Sequence, residues 1–262
     1  MRTFLRTALC LACLGLSSHS FAIYETEISQ ASTWLISQQN ADGSWGSLPT
    51  EHFVATAEAV KALRASGLRN EAYYRGITWL ENHSGDNTDY DARRAVALNT
   101  YGADVGAQWL TMLDNAQDTA MPGRDGWGVS QHYIESPVDT ALALEGLDRV
   151  GTSSGSASVT IQPALDYVKA ARISSAGWTV GAQTSSDPFS TALVVKGLVP
   201  WLSQDATLST PINGGISHLQ SIVNGSSPIA LQAMAAHAAL LAGNTSAANG
   251  WLSAIDTAQA IG

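Results

Sequence analysis

Residues 31–67 read ASTWLISQQNADGSWGSLPTEHFVATAEAVKALRASG. A first helical stretch runs into a Gly/Trp turn, a second helical stretch follows, and Gly67 closes the unit. In the second stretch Phe53, Ala57, Val60 and Leu63 recur at helical spacing, which sets them on one apolar stripe. The same order returns at 107–151, AQWLTMLDNAQDTAMPGRDGWGVSQHYIESPVDTALALEGLDRVG, and from Pro163 onward, PALDYVKAARISSAGWTVGAQTSSDPFSTALVVKGL. Weaker copies occupy 75–102 and 214–243. A period of about 35 to 50 residues is that of paired-helix repeats, whose units bury their apolar stripes only by packing on one another.

Local chemistry predicts where the second helices begin and end. They open at Ser136-Pro137, Asp187-Pro188 and Ser227-Pro228. Each pair sets a side-chain acceptor at the N-cap and proline at the first helical position, where a missing N–H costs nothing. They close at Gly67, Gly102, Gly151 and Gly243, where a left-handed residue is expected. No alternating run competes, so strand content should be close to nil. The small pairs Thr56-Ala57, Thr140-Ala141 and Thr191-Ala192 sit at equivalent places and allow neighbouring helices to approach closely.

Outside the repeats, the N-terminus predicts export. Arg2 and Arg6 precede an apolar run from Ala8 to Leu16, and Ser20-Phe21-Ala22 offers a cleavage site before Ile23. That is a secretory leader over residues 1–22, too short to span a bilayer, with 23–262 as one repeat domain. Acylation of Cys13 is the alternative processing. Cleavage removes Cys10 and Cys13, the two cysteines of the chain, so the mature protein would hold together through its core. The chain has 22 acidic against 13 basic residues and no basic cluster, which disfavours nucleic acid and anionic membrane surfaces as partners.

Gln38, Asp42-Gly43-Ser44-Trp45-Gly46 and Thr56-Ala57 together resemble the repeat of the terpenoid cyclase and protein prenyltransferase superfamily. Asp125-Gly126-Trp127-Gly128 and Gly177-Trp178 repeat its Gly-Trp part. In the family's QW motif a glutamine and a tryptophan tie an outer helix to the next turn. The resemblance implies an all-α fold, an α/α toroid with first helices outside and second helices around a central cavity. Five hairpins are recognisable, and Ala248-Asn249-Gly250-Trp251-Leu252 looks like the start of a sixth. The expectation is a ring that is open or completed by further sequence.

The chemistries known on this fold can be tested against the residues. The cyclase motif Asp-x-Asp-Asp-Thr-Ala donates a proton from its middle aspartate. Here Ser136-Pro137-Val138-Asp139-Thr140-Ala141 retains the last aspartate but has Val138 at the acid position. The next copy has Phe189 there and the first has Val54. A general acid cannot be built from these side chains. The prenyltransferase zinc set and the thioester of related toroids both need a cysteine that the mature chain lacks.

The remaining candidates are weak. Asp139, Asp187, Glu135, His132 and Arg94 could line a cavity as acids, bases or a cation, or could serve as caps and loop residues. His52, His83, His132, His218 and His237 show no paired metal spacing and read as surface or helix-end residues. Asp86, Asp89 and Asp91 form a loose carboxylate group that capping explains as well as calcium does. Trp45, Trp127 and Trp178 could be sugar platforms, but their fixed repeat position favours a structural plug. No cofactor is expected. The expected function is a binding or scaffold module for a small molecule, a glycan or a protein. A carbohydrate-active lyase or hydrolase is the alternative, and the structural N-terminal part of a larger surface protein a third.

Overall fold

The computed structural model describes residues 24–83, 85, 87–98, 125–130, 133–150, 161–174, 176–181 and 183–260. The helices are α1 (Glu25–Ser37), α2 (Pro49–Ala65), α3 (Glu71–Asn82), α4 (Thr88–Leu98) and α5 (Pro137–Arg149). They continue as α6 (Ile161–Ala170), α7 (Pro188–Leu198), α8 (Ser209–Ile222), α9 (Ile229–Leu241) and α10 (Thr245–Ala260), with 3-10 turns at Val199–Ser203 and Ala206–Leu208. Among the described residues no strand occurs, and one isolated bridge joins Ile173 to Gly177. The chain is an all-α, α/α toroid. Helices α2, α4, α5, α7 and α9 form the inner wall, each packed on the next, while α3, α6, α8 and α10 lie outside against α2, α5, α7 and α9. None of the described helices is long and apolar enough to cross a membrane.

One hydrogen bond recurs in three repeats and explains why the Gly-Trp turn and the Thr-Ala pair travel together. The backbone N–H of Trp45 donates to Thr56 Oγ1 at 2.9 Å, that of Trp127 to Thr140 Oγ1 at 2.9 Å, and that of Trp178 to Thr191 Oγ1 at 3.0 Å. A Cβ on Gly126 would lie 2.5 Å from Thr140 Oγ1, and one on Gly177 would overlap Thr191 Oγ1, so the residue before these tryptophans has no side chain. The indole rings are buried plugs. Trp45 Nε1 donates to Leu35 O and Trp178 Nε1 to Val168 O, both at 2.7 Å, so each plug also holds the end of the preceding outer helix. The sugar-platform reading of these residues therefore gives way to the structural one.

Replacing Thr191 by valine keeps the shape but leaves the buried Trp178 N–H without an acceptor. We expect a loss of about 1–3 kcal/mol in urea unfolding with the slope unchanged.

Among the described residues most of the predicted caps are present; Gly102 and Gly151 lie outside them. Ser136 accepts from Asp139 N and Asp187 from Ser190 N, each with proline next. Gly67 and Gly243 both carry φ of 77°. Two details differ. Ser227 does not cap α9; its hydroxyl accepts from Asn224 N, and the helix starts from Pro228 with no side-chain cap. Gln38, the expected QW glutamine, is exposed and donates to Ser37. Gln39 makes the tie, donating to Gly43 O and Ala72 O at 2.9 Å each. Helix α1 has ended by then, and the turn presents the second glutamine to the next outer helix.

Candidate functional site

The inner wall carries charges that belong to the repeat. Lys61, Glu145 and Lys196 each follow the turn-binding threonine by five residues, on α2, α5 and α7. In α9 Gln232 stands at the threonine position and donates to Gly225 O and Ser227 O, and five residues on is His237. Glu58 and Arg93 add a second layer from α2 and α4. Lys61 Nζ lies 2.7 Å from Glu58 Oε1, and Arg93 Nη1 lies 2.7 Å from the same oxygen. Arg93 Nε also pairs with Asp89 at 2.5 Å, and Lys196 Nζ pairs with Glu145 at 3.1 Å. Four of the five described inner helices, α2, α4, α5 and α7, thus contribute to one group of mutually interacting charges, and α9 places His237 beside it.

Their protonation follows from burial and from each other. Burial alone would raise the Glu58 carboxyl, but Lys61, Arg93 and Lys196 hold it well below the usual carboxylate range. Glu145 is likewise lowered against its burial by Lys196 and Lys61. Burial pushes the Lys61 ammonium down, although Glu58 and Glu145 oppose this. Burial, and then Lys196, pushes His237 down to about 3, so its imidazole is neutral. His237 Nδ1 and Gln232 Oε1 are buried without a hydrogen-bond partner among the described residues. The expectation that His237 is a surface or helix-end residue is therefore corrected; it lies in the middle of an inner helix.

A pH dependence follows. Below its ordinary pKa of 6.5 the unfolded His237 takes a proton that the folded one refuses until about pH 3. Stability should fall with pH across that window, by at most about 1.4 kcal/mol per pH unit from this group. Glu58 and Glu145, lowered in the fold, add a further loss as pH drops below about 4.5 and the unfolded carboxylates protonate first. Urea melts from pH 7 to 5 should show the His237 slope, and His237→Asn should flatten it.

The residues nominated from sequence occupy other places. Asp187 caps α7, receiving the backbone N–H and the hydroxyl of Ser190 at 2.7 Å each. Arg94 donates to Leu80 O at 2.8 Å and Glu81 O at 3.1 Å, closing the end of α3. Glu135 accepts from Gly126 N at 3.3 Å, and its carbonyl accepts from Tyr167 Oη at 3.0 Å. Asp139 accepts from Ser136 Oγ at 2.6 Å; burial raises its carboxyl, and Asp89 adds to this. Tyr167 is raised by burial, then by Glu135 and Asp139, so these three lie near one another at the start of α5. His132 and Asp86 lie outside the described residues. Among the described residues no three His, Cys, Asp or Glu side chains group as metal ligands.

A cavity of about 630 Å³ opens between α1 and the first half of α2 and reaches Glu58. Trp34 and Leu35 form one wall, Val54 and Ala55 the other, and Gln38, Asn40 and Thr50 add polar groups. Sequence reasoning passed over both this cavity and the axial charges. Of the axial set, Glu145 and Lys196 were visible as charges interrupting the apolar stretches of α5 and α7, in a chain of only 13% charged residues.

No family model matches this sequence, and no curated protein matches it. Among solved structures it is similar to a type II terpene cyclase from Scytonema in complex with geranylgeranyl dihydroxybenzoate. The TM-score is 0.60 at 14% identity, covering 94% of this chain and 87% of that one. The two share the toroid fold.

Proposed function

We propose that this toroid is an exported, non-catalytic module that binds a ligand or partner in the periplasm or outside the cell. The observation that carries this reading is the set of paired charges on the axis, Glu58 with Lys61 and Arg93, and Glu145 with Lys196. Lys61, Arg93 and Lys196 hold the Glu58 and Glu145 carboxyls ionised, so neither is a proton donor to a substrate there. The acid position is apolar in the copies aligned at Val138 and Phe189, and Asp187 and Arg94 are engaged with backbone. Export is supported by the leader pattern of residues 1–22.

The test is direct. Full-length protein made in a bacterial host should appear outside the cytoplasm with Ile23 as its first residue. Incubated with geranylgeranyl dihydroxybenzoate and with a panel of polysaccharides, it should leave all of them unchanged by mass spectrometry. Turnover of any of them would overturn the non-catalytic reading. Glycan cleavage lost in Asp139→Asn would favour the carbohydrate-active alternative, for which the raised Asp139 carboxyl is the supporting feature.

A further inference from the structure

We propose that the cavity between α1 and α2 binds a neutral sugar, a mono- or disaccharide unit stacked on Trp34. The proposal rests on the binding-module reading above and gives it a place and a ligand class. Trp34 differs from the tryptophans that hold the fold. Trp45, Trp178, Trp201 and Trp251 donate their indole N–H to main-chain carbonyls, and Trp79 donates to Asp42. Trp34 is half-buried on the cavity wall, and its indole N–H makes no hydrogen bond among the described residues. An aromatic face of this kind suits the C–H face of a pyranose ring, with a donor left at its edge.

The polar groups around it suit hydroxyls. The Gln38 amide nitrogen donates to Ser37 and that of Asn40 to Ser44 and Gly46, while their side-chain oxygens carry no hydrogen bond among the described residues and remain as acceptors. The Thr50 hydroxyl carries no hydrogen bond among the described residues and can both donate and accept. The charges in the cavity argue against the other ligand classes. No Lys or Arg lines it to attract a phosphate, sulfate or carboxylate, and its one imidazole, His52, packs edge-on against Trp79 and bears on Asp42. Of the cavity's two carboxylates, Glu58 faces Lys61 and Arg93, and Glu51 accepts from the Ser47 and Leu48 N–H groups at the start of α2. A cation would therefore meet a single carboxylate without a cationic partner, that of Glu51. The volume of about 630 Å³ lies within the range of small-ligand sites.

Calorimetric and tryptophan-fluorescence titration of the full chain with maltose, cellobiose, lactose and N,N′-diacetylchitobiose tests this. At least one should bind saturably, Trp34→Ala should weaken it about tenfold or more, and Trp34→Phe should retain most of the affinity. Thr50→Val, at an exposed position, should also weaken it and carries the test if Trp34→Ala fails to fold. Binding of none of the four sugars overturns the proposal, as does affinity unchanged in Thr50→Val and Trp34→Ala. Saturable binding of naphthalene alone overturns it in favour of an apolar ligand. Any of these failures leaves the non-catalytic reading standing, since only turnover in the assays above removes that.

Discussion

Glu58→Gln is expected to cost about 3–5 kcal/mol of folding stability, among the largest effects of any single substitution in this protein. Its carboxylate oxygen Oε1 receives both Lys61 and Arg93 at 2.7 Å, and the charge of Lys196 bears on it as well. Glutamine fills the same space but leaves these cations facing each other with only Asp89 and Glu145 to balance them. Burial that the ion pairs had offset becomes a net penalty. Urea unfolding monitored by circular dichroism gives the number. The double variant Glu58→Gln, Lys61→Met should recover part of the loss, because it removes a cation together with its partner. A loss below about 1 kcal/mol would mean that the axial charges are hydrated, as exposed pairs are.

Gly197→Ala is expected to cost about 3 kcal/mol, for a different reason. A Cβ there would overlap the Ala141 carbonyl oxygen, lie 2.7 Å from its carbonyl carbon and 2.9 Å from its Cβ. The obstacle is the backbone of the neighbouring inner helix, so a rotamer change cannot relieve it and α7 must move off α5. Gly250→Ala in α10 is the matched control, since nothing lies within 4 Å of its Cβ. That change should raise stability by up to about 1 kcal/mol through helix propensity alone. Thermal melts of the two variants should therefore shift in opposite directions. Equal shifts would remove the close-packing account.

The agreement between sequence and structure is greatest where the cause is local. Proline after Ser136 and Asp187 sets the starts of α5 and α7, and each cap bonds within its own first turn. Glycine at 67 and 243 is needed for a backbone that other residues rarely adopt. The Trp–Thr hydrogen bond spans 11 residues in the first repeat and 13 in the third and fourth, short enough to leave a recurring signature. Where neighbouring residues could serve equally, local reasoning misassigned the role. Gln38 and Gln39 are chemically identical, and only the direction in which the chain leaves α1 gives the tie to Gln39.

The helical hairpin, its caps and the recurrence of the Gly-Trp turn with the Thr-Ala pair were legible in the residues alone, because each depends on residue type at fixed short spacing. The tertiary structure decided which charges meet. Glu58 and Arg93 are 35 residues apart in the chain, and Glu145 and Lys196 belong to different repeats, yet they pair on the axis. It also decided that Trp34 lines a cavity with its indole N–H unbonded among the described residues, whereas Trp45, on the same cavity, gives its N–H to Leu35 O. Such juxtapositions depend on how far each hairpin is rotated against the next. That rotation comes from the summed packing of many small apolar contacts, and no single motif encodes it.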